Sequence, residues 1–241
     1  MPRFTGDDKP PAAWLRYAEA GSLFGRFWHG FGDNGPRGPE EGPPALVVPG
    51  FMATDRTCME LRRSLARRGW RTYPWEQGLN KGAHLEVIRN LLERLEAIHD
   101  GRPVLVVGWS LGGLFARELA REAPELVRAV VTLGSPFSGD PHQNNVWRLY
   151  EWVTGHPVHS PPVPHSADKP PVPTLALWSE RDGIVAKRAA RGLEGERDKA
   201  VEIGCGHMAF GISRRATQRV AREIGKFLHE IEGKSPTESR D

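Results

Sequence analysis

Short, continuous apolar runs alternate along this chain with longer stretches whose apolar positions recur every three or four residues. Ala45-Leu-Val-Val48, Val104 to Val107, Val127 to Leu133 and Thr174 to Trp178 are of the first kind and predict buried strands. Arg71 to Trp75 and Ala200 to Ile203 are weaker strand candidates between turn-forming residues. Cys58 to Arg68 is of the second kind, with Leu61 and Leu65 one turn apart and Gly69 closing it. His84 to His99 places Leu85, Ile88, Leu91, Leu92, Leu95 and Ile98 on one stripe. Leu114 to Glu122 predicts a helix stopped by Pro124, and Ser213 to Ile231 another, with Val220, Ile224 and Leu228 spaced by four.

Strands alternating with helices predict an α/β fold. The expected form is an open, mainly parallel sheet of about six strands with helices on both faces. The strands are apolar throughout because both faces would be covered. Right-handed crossovers then carry the functional loops to the carboxyl ends of the strands. Residues 45–232 form the expected domain. Before it, residues 1–44 comprise a helix over Ala12 to Phe27 and a Gly- and Pro-rich linker from Gly30 to Pro44. Residues 137–173 are a short cap insertion, and residues 233–241 a polar tail expected to be disordered.

A length of 241 residues suits one domain with a sizeable core, and 39% apolar with 26% charged residues is ordinary for a soluble protein. The 33 basic and 30 acidic residues are interspersed, so the net charge of +3 gives no footprint for nucleic acid. No apolar run reaches the length of a membrane span, and Met1 to Pro11 lacks an apolar signal segment. The expectation is a cytoplasmic protein, with export left open, that is a monomer or weak dimer. Cys58 and Cys205 are too few for a disulfide framework and are expected as thiols.

The chemistry centres on Gly108-Trp-Ser-Leu-Gly112, a G-x-S-x-G pattern set between a strand and a helix. That context makes a sharp turn presenting Ser110 as a nucleophile, with glycines where a Cβ would collide with neighbouring backbone. Serine needs a general base, and His207 is the histidine that follows a late strand, in Gly204-Cys-Gly-His-Met. The base needs a carboxylate to fix its tautomer. Asp182 follows the fifth strand, with Asp140 and Glu180 in reserve. An oxyanion needs preorganised donors. The backbone N–H of Leu111 is one candidate and that of Phe51, after the first strand, the other, with Met52 as its alternative.

These stretches resemble the α/β-hydrolase superfamily, in its small bacterial esterase/lipase branch. The matching segments are Val47-Val-Pro-Gly-Phe51, Gly108-Trp-Ser-Leu-Gly112, Thr132-Leu-Gly-Ser-Pro136, Ser179 to Ile184 and Gly206-His207, spanning Ala45 to Leu228. The order Ser110, Asp182, His207 is the family's order. The resemblance implies a serine ester hydrolase working through a covalent acyl-enzyme without a cofactor. Pro49 stands where many members carry histidine, which leaves the backbone donors of the loop unchanged. The usual first antiparallel hairpin is missing or degenerate.

Substrate class depends on what covers Ser110. The insertion predicts a short helix over Asn145 to Val153, with Trp147 and Tyr150 facing the site and Trp152 as a further candidate. Phe51, Met52, Trp109, Trp147, Tyr150 and Met208 are the candidate substrate contacts, and favour a small-molecule apolar ester with an acyl or aryl group. An equally simple reading has the rings packing the insertion onto the sheet. His156, His159 and His165 lie in a proline-rich stretch without a second ligand cluster, so no metal is expected. Two rivals stand beside ester hydrolysis. One is acyl transfer, thioester or amide cleavage on the same triad, and the other a non-catalytic ligand-binding relative.

Overall fold

A computed structural model describes residues 35–82, 85–139 and 166–233. The N-terminal helix expected over residues 12–27, the aromatic helix of the insertion and the polar tail lie outside the described residues. So do Asp140, Trp147, Tyr150 and the histidines of the insertion.

Six strands form one sheet: β1 (Pro44–Val48), β2 (Arg71–Pro74), β3 (Val104–Trp109), β4 (Val127–Leu133), β5 (Thr174–Trp178) and β6 (Lys199–Glu202). Every pairing between them is parallel, and the order is β2-β1-β3-β4-β5-β6. The helices are α1 (Met59–Ala66), α2 (Leu85–Ile98), α3 (Leu111–Glu122), α4 (Lys187–Arg191), α5 (Ala209–Ile212) and α6 (Arg214–Glu232). Among the described residues, antiparallel pairing is limited to one bridge, Arg37 to Thr72, beside the β2 edge. The expected strands and their neighbouring helices are all present within a few residues of their predicted ends. Two short helices, α4 and α5, were not expected. At four or five residues each, they are too brief for a hydrophobic period to show.

The unbroken apolar runs acquire their meaning from the two faces of the sheet. Successive side chains of a strand point to opposite sides. In β1, Ala45 and Val47 join a core with Leu61 and Leu65 of α1 and Val220, Ile224 and Phe227 of α6. Leu46 and Val48 join a second core with Leu91 and Leu95 of α2 and Phe115 and Leu119 of α3. β3 divides likewise, with Leu105 and Val107 in the first core and Val104 and Val106 in the second. The residues of β1 and the Val104 to Val107 run of β3 are therefore apolar on both faces. The edges show the converse, since β2 is alternately half-buried and buried and no residue of β6 is fully buried.

The order also locates the site. The chain moves outward from β1 to β2, then returns across β1 to build β3, β4, β5 and β6. The crossover helices leave a crevice where the direction reverses, between the carboxyl ends of β1 and β3. Pro49-Gly50-Phe51 follows β1 and Ser110 follows β3, so both segments open into that crevice.

Candidate active site

Ser110 sits between the last residue of β3 and the first of α3 with φ 54° and ψ −121°. Side chains other than glycine's rarely occupy this region, and holding one there costs about 1–3 kcal/mol. The surroundings enforce it. Ser110 N–H donates to the carbonyl of Leu133 at the end of β4, 2.8 Å away, and its own carbonyl accepts Gly113 N–H at 3.0 Å. The turn is tight enough to require its glycines. A Cβ on Gly108 would lie 2.2 Å from the Gly112 carbonyl oxygen, and one on Gly112 would lie 2.4 Å from that of Val48.

His207 and Asp182 meet at the end of the neighbouring strands. His207 Nδ1 and Asp182 Oδ2 are 2.7 Å apart, with both residues 3% exposed. The other carboxylate oxygen, Oδ1, accepts the backbone N–H groups of Ile184 and Val185, each at 2.8 Å. The turn aspartate thus has its orientation set by its own loop. A carboxylate can only accept at that distance, so Nδ1 carries a proton, and in the neutral form of the ring the lone pair is on Nε2. Gly134 follows β4 with φ +54°. A Cβ there would stand 2.9 Å from Asp182 Oδ2 and 3.1 Å from His207 Nδ1. The end of β4 is therefore a wall shared by the Ser110 backbone and the His207–Asp182 pair.

Trp109 changes its part. Expected as a substrate contact, it is only 2% exposed, and its Nε1–H donates to the His207 carbonyl at 3.2 Å. Its ring lies against the imidazole, with centroids 5.9 Å apart. The residue before the nucleophile thus supports the histidine loop from beneath and offers little surface to a ligand. Met208 is half-buried against the core, whereas Met52 is 45% exposed. Glu180, a reserve carboxylate, is exposed and pairs with Lys187 at 3.7 Å.

The loop after β1 closes around the crevice. Gly50 approaches Ser110 so closely that a Cβ on it would be 3.0 Å from Ser110 Cβ. Met52 N–H donates to the carbonyl of Asn80 at 2.7 Å, so it is already occupied and the alternative donor is removed. Leu111 N–H is the first donor of α3, at a position with no preceding helical carbonyl to accept it.

Two polar residues that the sequence reading passed over hold these loops. Ser179 Oγ accepts the N–H groups of Arg181 and Cys205, each at 3.0 Å, tying the Asp182 loop to the His207 loop. Asp55 accepts the N–H groups of Trp75 and Glu76 at 2.9 and 3.2 Å, joining the loop after β1 to the end of β2. Neither stands in a motif, and only the folded neighbours reveal them. Among the described residues, no cluster of three or more His, Cys, Asp and Glu side chains could hold a metal ion. No described helix is long and apolar enough to cross a membrane.

Comparison with known proteins agrees with this fold. No curated protein matches the sequence significantly. Several solved structures share the fold. A bacterial membrane phospholipase A superposes with a TM-score of 0.57 at 16% identity, covering 82% of each chain. A carboxylesterase from Bacillus subtilis gives 0.54 at 14%, covering 89% of this chain and 96% of its own. An α/β hydrolase from a lagoon-sediment metagenome of Mar Chica, Morocco, gives 0.53 at 22%, covering 83% and 93%. The family model for the α/β hydrolase fold matches residues 28–157, more than half of the 241. With its parallel six-stranded sheet and its serine turn at the switch point, the chain belongs to the α/β-hydrolase family.

Proposed function

We propose that this protein is a serine hydrolase of carboxylic esters, acting through a covalent acyl-enzyme. The observation that carries the reading is the joint occurrence of a strained serine at the β3–α3 turn and a buried His207–Asp182 pair in the loops after β6 and β5. Serine hydroxyl is a weak nucleophile unless a base receives its proton. In this reading Ser110 Oγ attacks the ester carbonyl as His207 Nε2 takes the hydroxyl proton. Asp182 holds the imidazole and stabilises the imidazolium that forms. The N–H groups of Leu111 and Phe51 face the developing oxyanion. His207 then protonates the departing alcohol and activates the water that releases the acid. Phe51, Met52 and Met208 from the described residues, with Trp147 and Tyr150 of the insertion, would give the apolar surface for the acyl or aryl group. The phospholipase and carboxylesterase among the structural neighbours accord with ester chemistry on this fold.

The test is hydrolysis of p-nitrophenyl esters together with labelling by a fluorophosphonate. Wild-type protein should turn over and be labelled at Ser110, while Ser110→Ala should do neither and still melt cooperatively. In Asp182→Asn the amide cannot accept the Nδ1 proton as a carboxylate does, so the histidine tautomer is wrong. A loss of kcat of about 10⁴-fold is expected, the size seen for this substitution in the serine protease triad. Turnover retained in Ser110→Ala would sink the reading.

A further inference from the structure

The loop after β1 is held from outside as well as by its own turn. Gly50 to Ala53 is a tight turn closed by Ala53 N–H to the Gly50 carbonyl at 3.1 Å. Its third position is Met52 at φ 56°, where such turns ordinarily place glycine. Asn80, from the loop after β2, is fully buried and grips this turn at three points. Its carbonyl accepts Met52 N–H at 2.7 Å and its N–H donates to the Ala53 carbonyl at 2.9 Å. Its side-chain Nδ2 donates to the Pro49 carbonyl at 2.8 Å. The remaining side-chain atom, Oδ1, accepts Gly82 N–H at 3.1 Å, which fixes the amide's orientation. Every polar group of Asn80 is thus engaged, and three of the four reach the segment that presses on Ser110 Cβ.

We propose that Asn80 is a positioning residue for the reaction, setting the Pro49–Ala53 turn so that Phe51 N–H meets the oxyanion. The inference rests on the serine-hydrolase reading above. Asn80 touches neither the nucleophile nor the base, and it acts through the turn it clamps. A donor preset by an external clamp needs no rearrangement when charge develops, which is where such donors gain their effect. The Nδ2 bond to Pro49 is the part a substitution can remove, since the backbone bonds persist with any residue at this position.

The test compares wild type, Asn80→Asp and Asn80→Ala in p-nitrophenyl ester hydrolysis, fluorophosphonate labelling and thermal melting. Asn80→Asp is isosteric but sets a carboxylate oxygen against the Pro49 carbonyl. A shift of about 1 Å at a reacting position costs on the order of 10²-fold. Both variants should lose kcat on that scale, with KM within about threefold of wild type. In Asn80→Asp the ratio of its kcat to that of wild type should rise as pH falls, because the protonated carboxyl again donates to Pro49. A purely structural role would not produce that recovery. Variants that keep kcat within threefold overturn the inference while ester hydrolysis by wild type stands. So does a folded Asn80→Asp whose deficit is unchanged by pH. If Asn80→Ala fails to fold, Asn80→Asp decides alone. If both fail to fold, the residue supports the whole domain and the specific role is overturned. A wild type that neither cleaves esters nor is labelled overturns the underlying reading, and this inference with it.

Discussion

At the scale of single residues, the site is held by strain and by close approach more than by many contacts. Ser110 at φ 54° is the sharpest case. The same backbone angles that would present its hydroxyl also tax the fold, so the cost and the proposed chemistry separate on mutation. Ser110→Gly removes the Cβ that makes the conformation unfavourable, whereas Ser110→Ala retains it. Ser110→Gly should therefore be inactive yet more stable than Ser110→Ala by about 1 kcal/mol, or roughly 2–4 °C in Tm for a chain of this size. Scanning calorimetry of the two variants checks this, and equal melting temperatures would show that the turn is not strained. The residues with direct chemical roles in the proposal were legible because strand ends announce them. Ser110, Asp182 and His207 each follow an apolar run, in a fixed order. Trp109 reads as a substrate contact in one dimension, because it is an aromatic beside a nucleophile. Its burial and its bond to the His207 carbonyl emerge only when β3 and the last loop are brought together.

At the scale of elements, the helices and strands follow from periodicity, but the joints between loops do not. α4 and α5 escaped notice for lack of length, and Asn80, Ser179 and Asp55 for lack of any motif. Their partners are backbone groups more than twenty residues distant for the most part, and backbone groups have no sequence signature. Asp55 has a measurable consequence. Burial pushes its carboxyl pKa above the ordinary value of 3.8, outweighing the two N–H groups and Arg62, which favour the charged form. A carboxyl raised on folding binds its proton more tightly in the native state than in the unfolded chain. Its contribution to stability is thus full below pH 3.8 and is lost as pH rises through the folded value. Asp55→Asn has no such titration. The stability of wild type relative to Asp55→Asn should therefore increase as pH falls from 7 towards 4, read as the difference in urea midpoints. A difference that shrinks with falling pH would mean that the two N–H bonds dominate and the direction is reversed.

At the scale of the whole molecule, the proposed site is assembled from strands of unequal security. The Ser110 turn and the Pro49–Ala53 turn hang from β3 and β1, whose residues are buried without exception. His207 follows β6, a four-residue edge strand with three half-buried residues and one exposed. β6 is tied to β5 by its ladder, continued by the 2.8 Å bond from Ile203 N–H to the Trp178 carbonyl, and to α6 by exposed contacts that include Lys199 to Glu230 and Arg219 to the Glu202 carbonyl. Local opening starts where little apolar area is buried and backbone bonds are exposed. The amides of β6 should therefore exchange with deuterium faster than those of β1 and β3, by mass spectrometry under native conditions. The functional corollary follows from the same asymmetry. If the base is carried by the edge and the nucleophile by the centre, mild urea should lower ester turnover before the global unfolding transition, as the His207 loop loosens. Over that same range the protection of β1 and β3 should remain intact. Equal exchange rates in β6 and β3, or activity that tracks global unfolding throughout, would show that Ser179, Trp109 and α6 secure the edge as firmly as the core secures the centre.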